Sequence, residues 1–199
     1  MPMSDLQLTT DNGQPTLITQ ARQGDAGAWE ILVGQHQEGV FRLAYLLLGD
    51  ADEAQDVTQE VFIRAFRSLH QFDPARPLRP WLLRITTNLV YNRRRAVGRY
   101  LAALQRLVRL TPEPVLAPAP DEALPQVDSH LLWQAVRRLN STDQQIIYLR
   151  YFLELSVAET AEAAGIAPGT VKSRLSRALE RLRQVVEREF PSLWKERVA

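Results

Sequence analysis

The chain has 199 residues, 45% of them hydrophobic, with a formal net charge of +1 and no cysteine. That apolar content suffices for buried cores in one or two domains and excludes disorder throughout, while the missing thiols exclude disulfide frameworks, thiolate zinc sites and cysteine nucleophiles. No apolar run approaches the length of a membrane span and no basic-then-apolar leader opens the chain, so a cytoplasmic protein without direct membrane insertion is expected. The near-zero net charge conceals blocks. Between Leu43 and Ile63 there is acid and no base, and between Pro74 and Pro112 there are nine arginines and no acid. Charges separated in this way suggest two kinds of partner, one basic and one anionic.

Taken in order, residues 1–15 are polar and read as a loose tail. Thr16 to Gln23 predicts a short helix, and Asp25 caps a longer one through Trp29, Leu32, Val40, Ala44 and Leu48, weakened locally by Gly34 and Gly39. Gly49 stops it, and Asp50 caps the next helix. There Ala54, Val57, Val61, Ala65 and Leu69 form the buried stripe, widened by Phe62 and Phe66. Asp52, Glu53, Asp56, Gln59 and Glu60 lie outside it. The first-turn acids are accounted for by the helix dipole, but Asp56 and Glu60 stand at i and i+4, where like charges oppose each other. A partner carrying arginines is therefore indicated.

After a proline-broken loop, which is expected to include Leu78–Pro80, a further helix buries Trp81, Leu82, Ile85 and Leu89. It exposes a donor-rich face of Arg84, Thr87, Asn88, Tyr91, Asn92, Arg93, Arg94 and Arg95, suited to a nucleic-acid backbone and base edges. A basic helical stretch follows from Leu101 to Leu110. Five prolines crowded near residues 112–125 then exclude a helix and mark an extended connector. Beyond it Leu131, Leu132, Ala135, Val136 and Leu139 line one helix, and Ser141 or Thr142 caps another. Ser156 and Glu159 form an S-x-x-E capping box, Gly165 closes that helix, and Pro168 opens the next. The result is a helix-turn-helix. Its second helix buries Val171, Leu175, Ala178, Leu179 and Leu182 and presents Thr170, Lys172, Ser173, Ser176 and Arg177, with Arg174, Arg181 and Arg183 beside them, to a major groove. His36, His70 and His130 stand outside any metal motif, and no cofactor is expected.

The run Asp50-Ala51-Asp52-Glu53-Ala54-Gln55-Asp56-Val57-Thr58-Gln59-Glu60-Val61-Phe62, followed by Trp81-Leu82 with Ile85, Asn88 and Leu89, resembles region 2 of bacterial sigma factors. Leu149-Arg150-Tyr151-Phe152 and Gly169-Thr170-Val171-Lys172-Ser173-Arg174-Leu175 resemble region 4. With these two regions alone, from about Thr16 to Glu187, the chain is similar to the extracytoplasmic function group of the sigma-70 family. The resemblance implies an all-α fold of two helical domains, region 2 at 16–98 and region 4 at 128–187, joined by a proline-rich linker at 99–127, with a C-terminal extension at 188–199. It implies no bond chemistry, and a subunit that directs core RNA polymerase to promoters. Asp52, Asp56, Gln59 and Glu60 match the positions that dock on the clamp of the largest subunit. Region 4 would sit at the flap. Arg79, Arg84, Asn88, Asn92 and Arg93 are the expected −10 contacts on single-stranded DNA, and Thr170, Lys172, Ser173, Ser176 and Arg177 the expected −35 contacts on duplex. An anti-sigma partner and a monomeric free state also follow from the resemblance. Asn140 stands where the family often has proline, and the capping by Ser141 or Thr142 is expected to absorb the difference.

From the residues alone two other readings stand beside this one. A free-standing helix-turn-helix regulator would bind half-sites as a dimer, and an enzyme would need a glycine phosphate loop, metal cluster or nucleophile motif that the sequence lacks.

Overall fold

The computed structural model describes residues 13–108 and 127–191, so the tail to residue 12, the proline-rich connector and residues 192–199 lie outside the described part. Everything regular within it is helical. Helices α1 (Gln14–Arg22), α2 (Ala26–Leu48), α3 (Ala51–Ser68) and α4 (Leu78–Val108) form one bundle; α5 (Val127–Arg137), α6 (Ser141–Ile147), α7 (Val157–Ala164) and α8 (Pro168–Glu189) form the other. The first helix begins two residues before the predicted Thr16, with Pro15 in its first turn.

Local chemistry sets most boundaries. The Asp25 carboxylate accepts from the Ala28 amide and Asp50 from Glu53, starting α2 and α3. Gly49 at φ 80° and Gly165 at φ 67° close α2 and α7 in the left-handed region, where a side chain is strained. The capping box at Ser156 and Glu159 is complete in both directions. Gly34 and Gly39 do not interrupt α2: its buried Leu32, Val40, Leu43, Ala44 and Leu47 outweigh the weak propensity of two glycines. Two caps differ from expectation. Asn140, not Ser141 or Thr142, caps α6 by accepting from the Asp143 amide, and Leu78–Pro80 is the first turn of α4 rather than loop. Asn140 thus supplies the cap itself, and Pro80 is tolerated because a first-turn residue has no intrahelical acceptor for its N–H.

The second bundle contains one irregularity. After α6 the chain widens into a π turn over Tyr148–Phe152, and Glu154 takes φ 55° before α7 begins. A non-glycine residue there is strained, and the neighbouring groups hold it.

Helix α4 is the wall shared by both bundles. It packs against α2 and α3 of the first bundle and against α7 of the second, with Leu82 and Leu89 buried. One continuous apolar core therefore runs from Ile18, Leu43 and Val61 through Leu83 to Trp133, Tyr148 and Leu155. Trp133 is almost fully buried, while Leu132, expected in the stripe of α5, is 41% exposed. Ala135, Val136 and Leu139 are buried as expected, and the larger indole fills the core beside them in place of Leu132.

Candidate nucleic-acid interface

Helix α3 presents the acidic face. Asp52, Asp56 and Gln59 are exposed and Glu60 is half-buried. The opposition of Asp56 and Glu60 is relieved on the helix itself: Arg64 donates to Glu60 at 2.6 Å. That hydrogen bond, with the charges of Arg64, Arg67 and Arg93, holds the Glu60 carboxyl below the ordinary range. The same stripe continues one turn further as an apolar surface, where Ile63 is 46% and Phe66 51% exposed. Phe66 was expected inside. Ala54, Val57, Val61, Phe62 and Ala65 already fill the inner face, so Phe66 turns outward and leans on Trp29, with ring centroids 5.2 Å apart.

Helix α4 carries the arginine and amide residues, and the structure divides them among three faces. Asn88 and Asn92 are exposed. At helical spacing they continue the outer side of Trp81 and Ile85, where Trp81 is half-buried and packs on Phe72 at 4.7 Å. Arg93 is half-buried and points its charge toward Glu60 of α3. Arg79 and Arg84 lie on the third face, toward the second bundle. The Arg79 guanidinium donates to the Leu153 carbonyl at 2.8 Å, and that of Arg84 lies against Gly165. Thr87 was expected on the donor face but is buried, its hydroxyl returned to the Leu83 carbonyl at 3.0 Å. Burial between packed helices is something no local pattern announces.

Helix α8 matches its expectation more closely. Val171 and Ala178 are buried, Leu175, Leu179 and Leu182 are half-buried, and Lys172, Ser173, Ser176 and Arg177 are exposed on one face with Thr170 half-buried at its edge. The Arg177 Nε bonds the Ser173 carbonyl at 3.1 Å, which leaves the rest of its guanidinium facing outward. Arg181 is different. It reaches the buried Asp143 of α6 at 2.5 Å, so it braces the two helices instead of joining the exposed face. Arg174, Arg177 and Arg181 line a cleft of about 230 Å³ with Asn140, Thr142 and Asp143, a basic notch beside the exposed face of α8.

Three side chains meet partners that the sequence did not indicate. The Tyr91 hydroxyl donates to the Ser141 carbonyl at 2.7 Å, and burial pushes its pKa up to about 12. Arg137 of α5 lies over the Trp133 ring at 4.8 Å and against Gly49 at the end of α2. Arg94 bonds the Leu47 carbonyl at that same helix end. Two cations at the C-terminal end of α2 are favoured by its dipole. Only the tertiary structure brings them there, though the run of arginines was the available signal. Among the described residues no group of three or more His, Asp or Glu side chains is placed to hold a metal, and no helix is long and apolar enough to cross a membrane.

Comparison with known proteins agrees with this division. Residues 32–100 match the family of Sigma-70 region 2 and residues 129–182 that of Sigma-70, region 4. The ECF RNA polymerase sigma factor SigW of Bacillus subtilis is 33% identical, over 84% of this chain and 93% of its own. SigL of Mycobacterium tuberculosis H37Rv, also named an ECF RNA polymerase sigma factor, is 32% identical, over 85% and 95%. Among solved structures, CnrH in complex with the cytosolic domain of CnrY superposes with a TM-score of 0.65 at 24% identity, covering 89% of this chain and 99% of CnrH. The sigma factor RpoE of Bartonella quintana, in complex with the anti-sigma factor NepR, gives 0.64 at 24%, covering 80% and 97%. At that identity these two show the fold alone.

Proposed function

The chain belongs to the extracytoplasmic function group of the sigma-70 family, and from that premise we propose how its faces divide the work of promoter-directed initiation by RNA polymerase. The observation that carries the reading is the exposed stripe Asp52, Asp56 and Gln59, with Glu60, on α3. This stripe docks on the clamp of the largest subunit, and Ile63 and Phe66 extend it with an apolar step that loses water on contact. Asn88 and Asn92 read single-stranded −10 DNA from one side of α4, and Arg79, Arg84 and Arg93 hold its phosphates and sugars. Unstacking a base in that element costs a few kcal/mol, which those contacts offset. Thr170, Lys172, Ser173, Ser176 and Arg177 read the −35 duplex, where a bidentate arginine–guanine pair supplies about 1–3 kcal/mol of discrimination. The protein acts in the cytoplasm as a binding subunit and catalyses no reaction itself. A cognate anti-sigma factor masks it, a role for which the solved complexes of similar fold are the support.

The test is to mix the chain with bacterial core RNA polymerase and follow one-to-one complex formation by size exclusion. Asp56→Arg, on an exposed position, is expected to abolish the complex while leaving the circular dichroism spectrum and melting temperature unchanged. Undiminished binding by that variant would refute the docking assignment. Absence of any complex with the unaltered chain, with DNA binding retained, would favour a free-standing regulator.

A further inference from the structure

Helices α2 and α3 are started by the carboxylates of Asp25 and Asp50, each three residues from the amide it satisfies. Helix α4 has no such neighbour. Pro77 precedes it and offers neither an N–H nor a side-chain acceptor, yet the first amides of a helix need partners where they are buried. The partner comes from the far end of the bundle's sequence: Gln14, buried at the start of α1, accepts from the amide of the buried Leu78 at 3.0 Å, across 64 positions.

The opposite end of α1 makes a matching contact. Arg22, about 12 Å further along the helix, donates from its Nε to the Leu69 carbonyl at 2.9 Å, where the turn after α3 begins. That carbonyl also accepts the Phe72 amide at 3.1 Å. Residues 72–77, the loop from α3 to α4, are thus gripped by α1 at both ends. Within the loop Asp73 makes a turn of its own, its carboxylate accepting from the Ala75 amide and its carbonyl from that of Arg76, both at 3.0 Å. Phe72 is buried, with its ring centroid 4.7 Å from that of Trp81. Trp81 opens the side of α4 that runs through Ile85 to the exposed Asn88 and Asn92. Between the two contacts Ile18 and Ala21 seat α1 in the core.

We propose that Gln14 and Arg22 are positioning residues for strand reading: α1 is a strut that fixes the loop 72–77 and the first turn of α4 beside the side chains that meet the bases. A cap from a neighbouring residue would fix only the start of the helix. A cap carried on α1 also fixes where that start lies relative to α3, because the same rigid helix holds Leu69. Recognition by a constellation of side chains needs placement to within about 0.5 Å, so slack at either end of the loop degrades selectivity before it degrades folding. Neither residue touches DNA in this role. This inference rests on the assignment of Asn88 and Asn92 to the −10 strand.

The test uses the full chain bound to core RNA polymerase. Selection from a randomised single-stranded DNA library defines the sequence this complex prefers, and the ratio of its affinities for that sequence and for a scrambled one measures reading. Gln14→Met keeps the length of the side chain and removes the acceptor. It is expected to lower the ratio at least threefold, while scrambled-strand affinity and mixed-sequence duplex binding each change less than twofold. Gln14→Glu restores an acceptor and should return the ratio to within twofold of the original. Arg22→Met, on an exposed side chain, should lower the ratio as Gln14→Met does, and it tests the same loop if Gln14→Met fails to fold. Amide exchange at Leu78 in the free chain reports the bond itself: protection should fall about tenfold in Gln14→Met and persist in Gln14→Glu. Unchanged protection in Gln14→Met would overturn the strut. An unchanged ratio despite lost protection would overturn the positioning role, as would equal losses in the Met and Glu variants at position 14. If the −10 assignment is what fails, Asn88→Ala and Asn92→Ala will also leave the ratio of the otherwise original chain unchanged, and the proposal falls with it.

Discussion

His36 offers a quantitative check on how the two bundles meet. It lies on α2 beside the cavity between them, its Nε2 buried without a hydrogen-bond partner. Burial, and secondarily the charge of Arg79, lower its pKa from 6.5 to about 4. Glu38, Arg42 and Glu159 line the same cavity. In the unfolded chain the imidazole takes up a proton near pH 6.5, and in the folded chain it resists until about pH 4. Stability linked to this group is therefore fully present above the unfolded value and falls as pH drops through the window between the two. From the two values the loss is about 2 kcal/mol at pH 5 and approaches about 3 kcal/mol below the folded pKa. Other groups titrate in the same range, so the quantity to measure is a difference. Urea unfolding of the original chain and of His36→Gln at pH 7.5 and pH 5 isolates it. The original chain is expected to lose about 2 kcal/mol more than the variant. Equal losses in both would refute the burial of a neutral imidazole at this interface.

Gly49→Ala places a Cβ at φ 80° and against the Arg137 guanidinium. The backbone term costs about 1–2 kcal/mol, and loosening Arg137 from Trp133 adds about 0.5–1 kcal/mol. A double-mutant cycle with Arg137→Ala in urea should recover the second term as coupling. Glu154→Val puts a β-branched residue at positive φ and should lower stability by about 1–2 kcal/mol, measured by the same unfolding midpoint. Arg177→Ala is expected to weaken promoter duplex binding by about 1–3 kcal/mol in a salt-controlled anisotropy titration without altering the polymerase complex; loss of both would indicate unfolding.

How far the fold was legible depends on the range of the interaction that sets each feature. Caps and stops need only neighbours. Asp25, Asp50, Gly49, Ser156 with Glu159, Gly165 and Pro168 marked their helix ends because each satisfies, or cannot block, backbone groups within four residues. Inner stripes were legible for the same reason, as were the acidic face of α3 and the exposed face of α8. Phe66 and Leu132 were misplaced because helical spacing gives a direction to within about one residue, and competing neighbours decide which side chain turns inward.

The sequence by itself determined that the chain is helical, that its family is the sigma-70 family, and which helices carry the acids, the arginines and the exposed polar face of α8. Local hydrogen bonding and period-3.6 burial suffice for those statements. Only the tertiary structure decided that Arg79 and Arg84 meet region 4, that Thr87 is covered, that Arg181 braces Asp143, and that Arg137 lies against the end of a helix of the other bundle. The Arg181 pair depends on the packing of α8 against α6, and the others on the packing of the second bundle against the first. Such contacts join residues from 38 to 88 positions apart, and a local pattern carries no record of which distant surface will arrive opposite it.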